Sequence, residues 1–246
     1  MSVTKVSSRE AGFTLIEMVV VIVIMGILAS VAVKQVVTSV DTAKYDQTEQ
    51  ELDQLAFAIR GNPSAYGLGT RTDFGYVGDV GAFPPNLDAL VQNPGGYTTW
   101  KGPYIDRGIG STDFKTDGWG TSYTLTDTLI RSSGSGSNID KIFAGSHADL
   151  LSNSVTGYIR DADNEVPGAV SKDSLWVQLQ HPSGGSLVID STHPSSDGYF
   201  NFSGIAIGNL TLKVVYTPST DTIAIPLTVY PGKDARLTVV FPADLW

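Results

Sequence analysis

The sequence of 246 residues contains no cysteine and only three histidines. Without cysteine, the chain forms no disulfide and holds no zinc or iron–sulfur centre through thiolates. His147, His181 and His193 each lie in a polar, turn-rich stretch. We therefore expect them on the surface or in structural hydrogen bonds rather than in a metal or acid–base site.

Positive charge is also scarce. The chain has 16 lysines and arginines against 25 aspartates and glutamates, a net charge of −9. Such a chain offers no basic surface to phosphates, so we do not expect nucleic acid as a partner. Apolar residues make up 41% of the sequence, enough for the packed core of one large or two modest domains.

One long apolar run lies near the N-terminus. Residues 13–33 read FTLIEMVVVIVIMGILASVAV, and their only charge is Glu17. A helix rises about 1.5 Å per residue, so this segment would cross a hydrocarbon core of ~30 Å. Lys5 and Arg9 precede it and favour a cytoplasmic N-terminus. We expect a single-pass protein with its N-terminus inside and its C-terminus outside.

Two kinds of processing compete for this segment. A secretory signal peptide would end at a small-x-small site, which residues 30–32 supply. The run is long for a signal peptide, however, and a carboxylate within hydrocarbon is costly unless it has a partner. Cleavage after Gly12 would place a new α-amine on Phe13, one helical turn from Glu17 on the same face. We favour that cleavage, with a simple membrane anchor that tolerates Glu17 as the alternative.

The stretch GFTLIEMVVVIVIMGILA, residues 12–29, resembles the class III signal of type IV pilins and type II secretion pseudopilins. In that family a prepilin peptidase cuts after the glycine and methylates the new phenylalanine amine. The resemblance implies that Gly12 and Phe13 are the processing residues. It also implies that Phe13 and Glu17 act in assembly, where the carboxylate meets the cationic N-terminus of a neighbouring subunit. A buried ion pair of this kind would set the register between subunits.

The helical pattern continues beyond the apolar run. No glycine or proline occurs between Gly26 and Gly61, and apolar residues recur at helical spacing as far as Ile59. A Gly-Asn-Pro sequence at residues 61–63 then predicts a stop. The pattern predicts one helix over residues 13–60, about 70 Å long. Its first half cannot bury itself within one chain, so it requires a membrane or further copies of the helix.

Residues 61–150 are rich in glycine, proline and aromatics and predict loops with a small antiparallel sheet. Their FPP, WKGPYI and DGWG motifs, with Tyr123, are similar in order and spacing to the major pseudopilin of type II secretion. Gly118 and Ser122 stand where that family usually has proline. We interpret these aromatics and glycines as core and turn residues rather than as catalytic or ligand-binding residues.

The stretch at residues 130–150 predicts a loop rich in serine and glycine. The resemblance implies a calcium ion in this region, held by carboxylate and carbonyl oxygens. Only Asp140 and Asp149 supply carboxylates there. We therefore favour a flexible connection without metal, keep calcium at Asp140 and Asp149 as the alternative, and expect no other cofactor.

Residues 155–246 alternate in short strands separated by turns, as in an antiparallel β-sandwich. The segments VTGYIRDADNEVPGAV, SDGYFNFSGIAIGNLTLKV and LTVYPGKDARLTVVF resemble the carboxypeptidase regulatory-like, transthyretin-like module. Asp161 and Asp163 fit a turn better than a pair of metal ligands. We expect this module to fold by itself after a linker at residues 151–154.

The sequence thus predicts an α+β protein in four parts. These are a cleaved leader at residues 1–12, a helix at 13–60, a pilin-like domain at 61–150 and a β-sandwich at 155–246. The helix is expected to serve as the transmembrane and filament helix and to pack on the small pilin-like sheet.

The function implied by the resemblance is that of a structural subunit rather than an enzyme. The chain would leave the inner membrane to polymerise into a periplasmic pseudopilus that drives protein export. Its partners would be prepilin peptidase, an inner-membrane assembly platform, minor pseudopilins and its own copies. The alternative is a surface type IV pilus subunit that displays an adhesive or binding sandwich. A membrane-anchored enzyme is disfavoured because no nucleophile–base pair, metal cluster or phosphate loop is present.

We predict that the mature protein begins at Phe13 with a methylated amine. Gly12 is the residue at the junction between the charged leader and the apolar run that matches the processing signal. Mass spectrometry of the N-terminal peptide measures this directly. A mature terminus at Val33 would instead indicate cleavage of an ordinary signal peptide.

Overall fold

A computed structural model describes residues 12–105 and 114–246. The predicted leader, apart from Gly12, lies outside the described residues. The chain divides into two compact units, Met1–Asp46 and Gln47–Trp246.

The longest element is the helix α1, Leu15–Arg60. It ends at the predicted residue but begins two residues later than predicted, because Thr14 caps it from outside. Residues 12–43 are all exposed. By length and composition, this helix is able to cross a membrane. Its apolar first half has no protein partner among the described residues.

The second unit begins with the last turns of α1. The predicted apolar stripe of Leu52, Leu55, Ala56 and Ile59 is buried there. The helix gives way at Gly61, whose φ of +77° suits glycine. The shorter helices are α2 (Gly75–Val80), α3 (His147–Leu151) and α4 (Gly168–Ser171), with 3-10 turns at Leu87–Leu90 and Lys172–Ser174.

Twelve strands follow in chain order within the described ranges. They are β1 (Tyr66–Gly67), β2 (Thr70–Arg71), β3 (Thr124–Leu125), β4 (Leu129–Ser132), β5 (Ile139–Ile142), β6 (Asn153–Arg160), β7 (Leu175–Ser183), β8 (Ser186–Thr192), β9 (Tyr199–Ile205), β10 (Gly208–Tyr216), β11 (Asp221–Val229) and β12 (Ala235–Val240). The first two form a hairpin, and β3, β4 and β5 form a three-stranded antiparallel sheet.

The remaining strands form two sheets that share one apolar core. One sheet has the order β11-β10-β7-β8 and is antiparallel, whereas the other has the order β12-β6-β9 and pairs β12 parallel to β6. Inward-facing side chains of both sheets, such as Val177, Leu212 and Val239, belong to the same buried cluster. The α+β class is confirmed, with a β-rich C-terminal region, but the parallel pairing of β12 with β6 departs from the predicted antiparallel sandwich. Its first strand begins at Asn153, two residues before the predicted boundary.

The prediction of a flexible loop at residues 130–150 was wrong. This stretch forms β4, β5 and α3, and its serine- and glycine-rich part is only the turn of the β4–β5 hairpin. The hairpin is stable because Ile130 and Ile139 are buried on one face. On the other face the Arg131 guanidinium donates two hydrogen bonds to Asp140, at 2.6 and 2.7 Å.

Two buried apolar clusters lie within the second unit. The first joins the end of α1 to the pilin-like part, and the second fills the sandwich. Ile207 comes from the sandwich region but is fully buried in the first cluster, and its amide donates to the Leu150 carbonyl at 2.9 Å. The amide of Gly232 similarly donates to the Asp149 carbonyl at 2.9 Å. The independent folding of the sandwich stays a prediction. The contacts of Ile207 and Gly232 show that the sandwich packs against the pilin-like part and is not connected to it by a linker alone.

Replacement of Ile207 by alanine should destabilise the protein by about 2–5 kcal/mol, because it removes a fully buried side chain that joins the two parts. Ile189→Ala is the matched control, since Ile189 is 58% exposed, and should change stability by about 0.5 kcal/mol or less. Urea unfolding of the detergent-solubilised protein measures both. Equal stability of the two variants would contradict a joining role for Ile207.

Candidate processing and assembly site

The start of α1 is fixed by a reciprocal hydrogen-bond pattern between Thr14 and Glu17. The Glu17 amide donates to the Thr14 hydroxyl oxygen at 3.3 Å. In return, the Thr14 amide and hydroxyl both donate to Glu17 Oε2, at 2.8 Å each. This is a capping box, which satisfies amides that the first helical turn leaves unpaired.

The capping box changes the expected local geometry of the predicted site. Phe13 precedes the helix and is 78% exposed, so it does not share a helix face with Glu17. Glu17 reaches back to Thr14 instead. Sequence analysis missed Thr14, although Thr-x-x-Glu before an apolar run is a readable signal for such a cap. Gly12 and Phe13 are both exposed among the described residues.

Two polar side chains of α1, Thr48 and Glu51, anchor the second half of the helix within the second unit. The Thr48 hydroxyl is fully buried and accepts a hydrogen bond from the Gly118 amide at 3.0 Å. One turn later, the Glu51 carboxylate accepts a hydrogen bond from the Tyr123 hydroxyl at 2.6 Å. Burial raises the pKa of Tyr123, and the Glu51 carboxylate raises it further. The phenol therefore remains a donor, and hydrogen bonds as well as packing hold the helix to residues that the sequence analysis had assigned only to the core and turns.

The DGWG turn is organised by the carboxylate of Asp117, which is 5% exposed. Its oxygens accept hydrogen bonds from the Ser132 hydroxyl at 2.5 Å and from the amides of Trp119, Thr121 and Gly134 at 2.9–3.0 Å. Burial alone would raise the pKa of Asp117, but these hydrogen bonds outweigh it and lower the pKa below its usual value. The turn that the sequence analysis took as structural is thus built on an ionised carboxylate.

Asp140 and Asp149, the ligands of the alternative calcium site, both hydrogen-bond to protein groups. Both carboxylate oxygens of Asp140 accept hydrogen bonds from Arg131 on the neighbouring strand. Asp149 forms a capping box with Ser146 at the start of α3, in which its carboxylate accepts from the Ser146 amide and hydroxyl. Among the described residues, no three acidic, cysteine or histidine side chains are grouped so as to hold a metal ion.

Three other residues that the sequence singled out make local structural contacts. Asp161 is fully buried at a turn, where its carboxylate accepts from the Glu165 amide at 2.8 Å. His181 is buried and lies 2.9 Å from the Asp190 carboxylate. His193 Nδ1 lies 2.7 Å from the Leu175 carbonyl oxygen. These contacts agree with the turn and structural interpretations.

The chain is similar to known proteins, and its N-terminal segment matches a family model. The family model "Prokaryotic N-terminal methylation motif" matches residues 7–33. The chain is 33% identical over 119 residues to type II secretion system core protein G of Pseudomonas aeruginosa, which covers 47% of this chain and 72% of that protein. It is 30% identical over 105 residues to the protein of the same name from Xanthomonas campestris, covering 42% of this chain and 64% of that protein.

A third relative is the type IV narrow pilus major component PilA5 of Thermus thermophilus. It is 37% identical over 91 residues, which cover 37% of this chain and 66% of that protein. The solved structure of BcpA, the major pilin subunit of Bacillus cereus, is 10% identical and covers 51% of this chain and 42% of that chain, with a TM-score of 0.27. The matches leave the resemblance of the C-terminal sandwich to the transthyretin-like module as a prediction.

Asp117→Asn should destabilise the protein by about 1–3 kcal/mol at pH 7, because an amide nitrogen would face hydrogen-bond donors in a buried turn. Because the pKa of Asp117 is lowered in the folded protein, its contribution is complete above the unfolded value of about 4 and is lost as the pH falls through the folded value. Thermal unfolding across pH 2–7 tests this. The stability difference between wild type and variant should shrink below about pH 4. A constant difference over that range would contradict the role of the ionised carboxylate.

Proposed function

The chain belongs to the family of type IV pilins and type II secretion pseudopilins, and we propose that it acts as a structural subunit of a filament rather than as an enzyme. The observation that carries the proposal is the exposed apolar half of α1, which has a single carboxylate at its start. Residues 12–43 have no buried side chain. Apolar surface of this extent must be removed from water by lipid or by further copies of the helix.

The subunit is first an inner-membrane protein in this proposal. Lys5 and Arg9 favour a cytoplasmic leader, so the second unit would lie outside the membrane. Prepilin peptidase would then cut the bond between Gly12 and Phe13. Removal of the leader discards its charges and leaves an α-amine two residues before the helix starts.

Glu17 would direct assembly through its negative charge. The capping box occupies Oε2, and the structure gives Oε1 no hydrogen bond from the described residues. A carboxylate can accept from several donors, so Glu17 is able to keep its cap and also meet the α-amine of a neighbouring subunit. In a core without water, an unpaired carboxylate is strongly disfavoured, and the pairing therefore selects one register between helices.

We favour a periplasmic pseudopilus that drives protein export, because two of the relatives carry the name type II secretion system core protein G. An assembly platform in the inner membrane and minor pseudopilins would be its partners. The second candidate is a surface type IV pilus that displays the sandwich, which the Thermus pilus relative favours. Electron microscopy of cells at native expression distinguishes them, since only the second predicts long filaments outside the outer membrane.

Glu17→Gln should be processed and inserted normally yet assemble about tenfold less or worse. Glutamine preserves the oxygen that caps Thr14 but removes the charge, so this variant separates the two roles of the side chain. Filament yield after shearing, relative to total processed subunit, measures the effect. Glu49→Gln is the control, because Glu49 is an exposed acid of α1 outside the apolar run, and should assemble normally.

Normal assembly of Glu17→Gln combined with failure of Glu17→Ala would show that the cap, and not the charge, is what assembly requires. Normal assembly of both variants would overturn any role for Glu17 in the filament.

A further inference from the structure

An open cleft of about 590 Å³ lies within the second unit, between the pilin-like part and the sandwich. Its walls come from strands β7, β8 and β10 on one side and from residues 72–79 and 98–101 on the other. A volume of this size is in the range of small-molecule sites, which often lie where two packed parts meet.

Backbone hydrogen bonds hold the cleft walls in place. The Gly185 amide, in the β7–β8 turn, donates to the Val80 carbonyl at 2.8 Å, and the Thr99 amide donates to the Gly185 carbonyl at 3.2 Å. On the other side of the cleft, the Asn209 side chain donates to the Arg71 carbonyl at 3.1 Å. Gly185 has a φ of +85°, and a Cβ there would come within 2.4 Å of the Tyr97 ring. The cleft is therefore preformed and does not depend on a ligand for its shape.

The sheet contributes uncharged hydrogen-bonding groups to the cleft. Gln180 on β7 is paired in register with Thr211 on β10, and both side chains are exposed on the outer face. The exposed residues Thr72 and Thr98 add hydroxyl groups from the opposite wall. These hydroxyls donate to the carbonyls of Ala65 and Gly185, at 3.3 and 3.4 Å, and keep lone pairs that accept. The Gln180 amide both donates and accepts, so the cleft offers both kinds of partner to ligand hydroxyl groups.

The charged groups of the cleft cancel one another. Lys101 Nζ lies 2.7 Å from the Asp79 carboxylate, which also accepts a hydrogen bond from the Tyr104 hydroxyl at 3.2 Å. This pairing leaves the cleft without an unbalanced charge, which favours an uncharged ligand over an anion or a cation. The apolar side chains of Pro182 and Leu187 lie beside the polar ones. Such surfaces suit the C–H faces of a sugar ring.

We propose that this cleft binds an uncharged carbohydrate of one or two sugar rings. Gln180 and Thr211 bind ring hydroxyls, and the Pro182 and Leu187 side chains contact the apolar face of the ring. The site lies wholly within the second unit and does not depend on polymerisation. The inference is thus separate from the proposed filament function.

The experiment uses the full-length mature protein in a detergent without a sugar headgroup, because an alkyl glycoside would compete for the site. Maltose, cellobiose and N,N′-diacetylchitobiose are the neutral probes, and inorganic phosphate and glucuronate are the charged ones. Saturation-transfer NMR detects binding, and calorimetry measures affinity. At least one neutral disaccharide should bind, and neither charged probe should displace it.

Gln180→Met removes the donor and acceptor at nearly constant volume and should weaken binding of that disaccharide about tenfold. Gln178→Met is the matched control. Gln178 faces the same side of β7, opposite Ser191 and Lys213, but does not line the cleft. Its affinity should equal that of the wild type, and both variants should assemble filaments normally.

Failure of all three neutral sugars to bind would overturn the proposal. Equal weakening by Gln178→Met and Gln180→Met would also overturn it, since the binding would then lie elsewhere on the sheet. Displacement of the bound sugar by phosphate or glucuronate would identify an anion site at Lys101 instead. None of these outcomes affects the filament proposal, which is tested by assembly and not by sugar binding.

Discussion

The apolar surface of the first half of α1 is the constraint on which the other features of this protein depend. Nothing in the described residues covers it, and water disfavours such surface in proportion to its area. In the proposed function, lipid relieves this cost before assembly, and the same helix from other subunits relieves it afterwards. A carboxylate at Glu17 is tolerable in both environments only if it has partners. The capping box with Thr14 gives it one within its own chain.

The second half of the same helix is held in one orientation by hydrogen bonds as well as by packing. Its apolar stripe is buried, so packing holds it, but apolar contacts alone specify orientation weakly. Thr48 and Glu51 add directional hydrogen bonds to the DGWG turn and to Tyr123. Because buried polar groups are costly when unpaired, these contacts favour one register of the helix on the pilin-like part. Asp117 in turn keeps that turn rigid through four donors.

Beyond the chain itself, no disulfide joins the sandwich to the pilin-like part, since the sequence lacks cysteine. Ile207 and the backbone hydrogen bonds of Leu150, Asp149 and Gly185 provide the connection. The two apolar clusters do not merge, and the cleft lies between the two parts. A binding surface of this kind would accompany each subunit in a filament and so be repeated along its length.

The sequence by itself determined the features that depend on neighbouring residues. Helical spacing predicted the end of α1 at Arg60, alternation predicted the C-terminal strands, and the junction at Gly12 and Phe13 lies within the matched methylation motif. The capping box of Thr14 and Glu17 is equally local and could have been predicted from their spacing. Only the tertiary structure decided that residues 130–150 form a hairpin and a helix and that Asp140 pairs with Arg131. It also decided that Glu51 meets Tyr123 and that Gln180 and Thr211 face a common cleft. These features join residues far apart in the chain, and local spacing contains no information about which distant strand or side chain will pack beside a given residue.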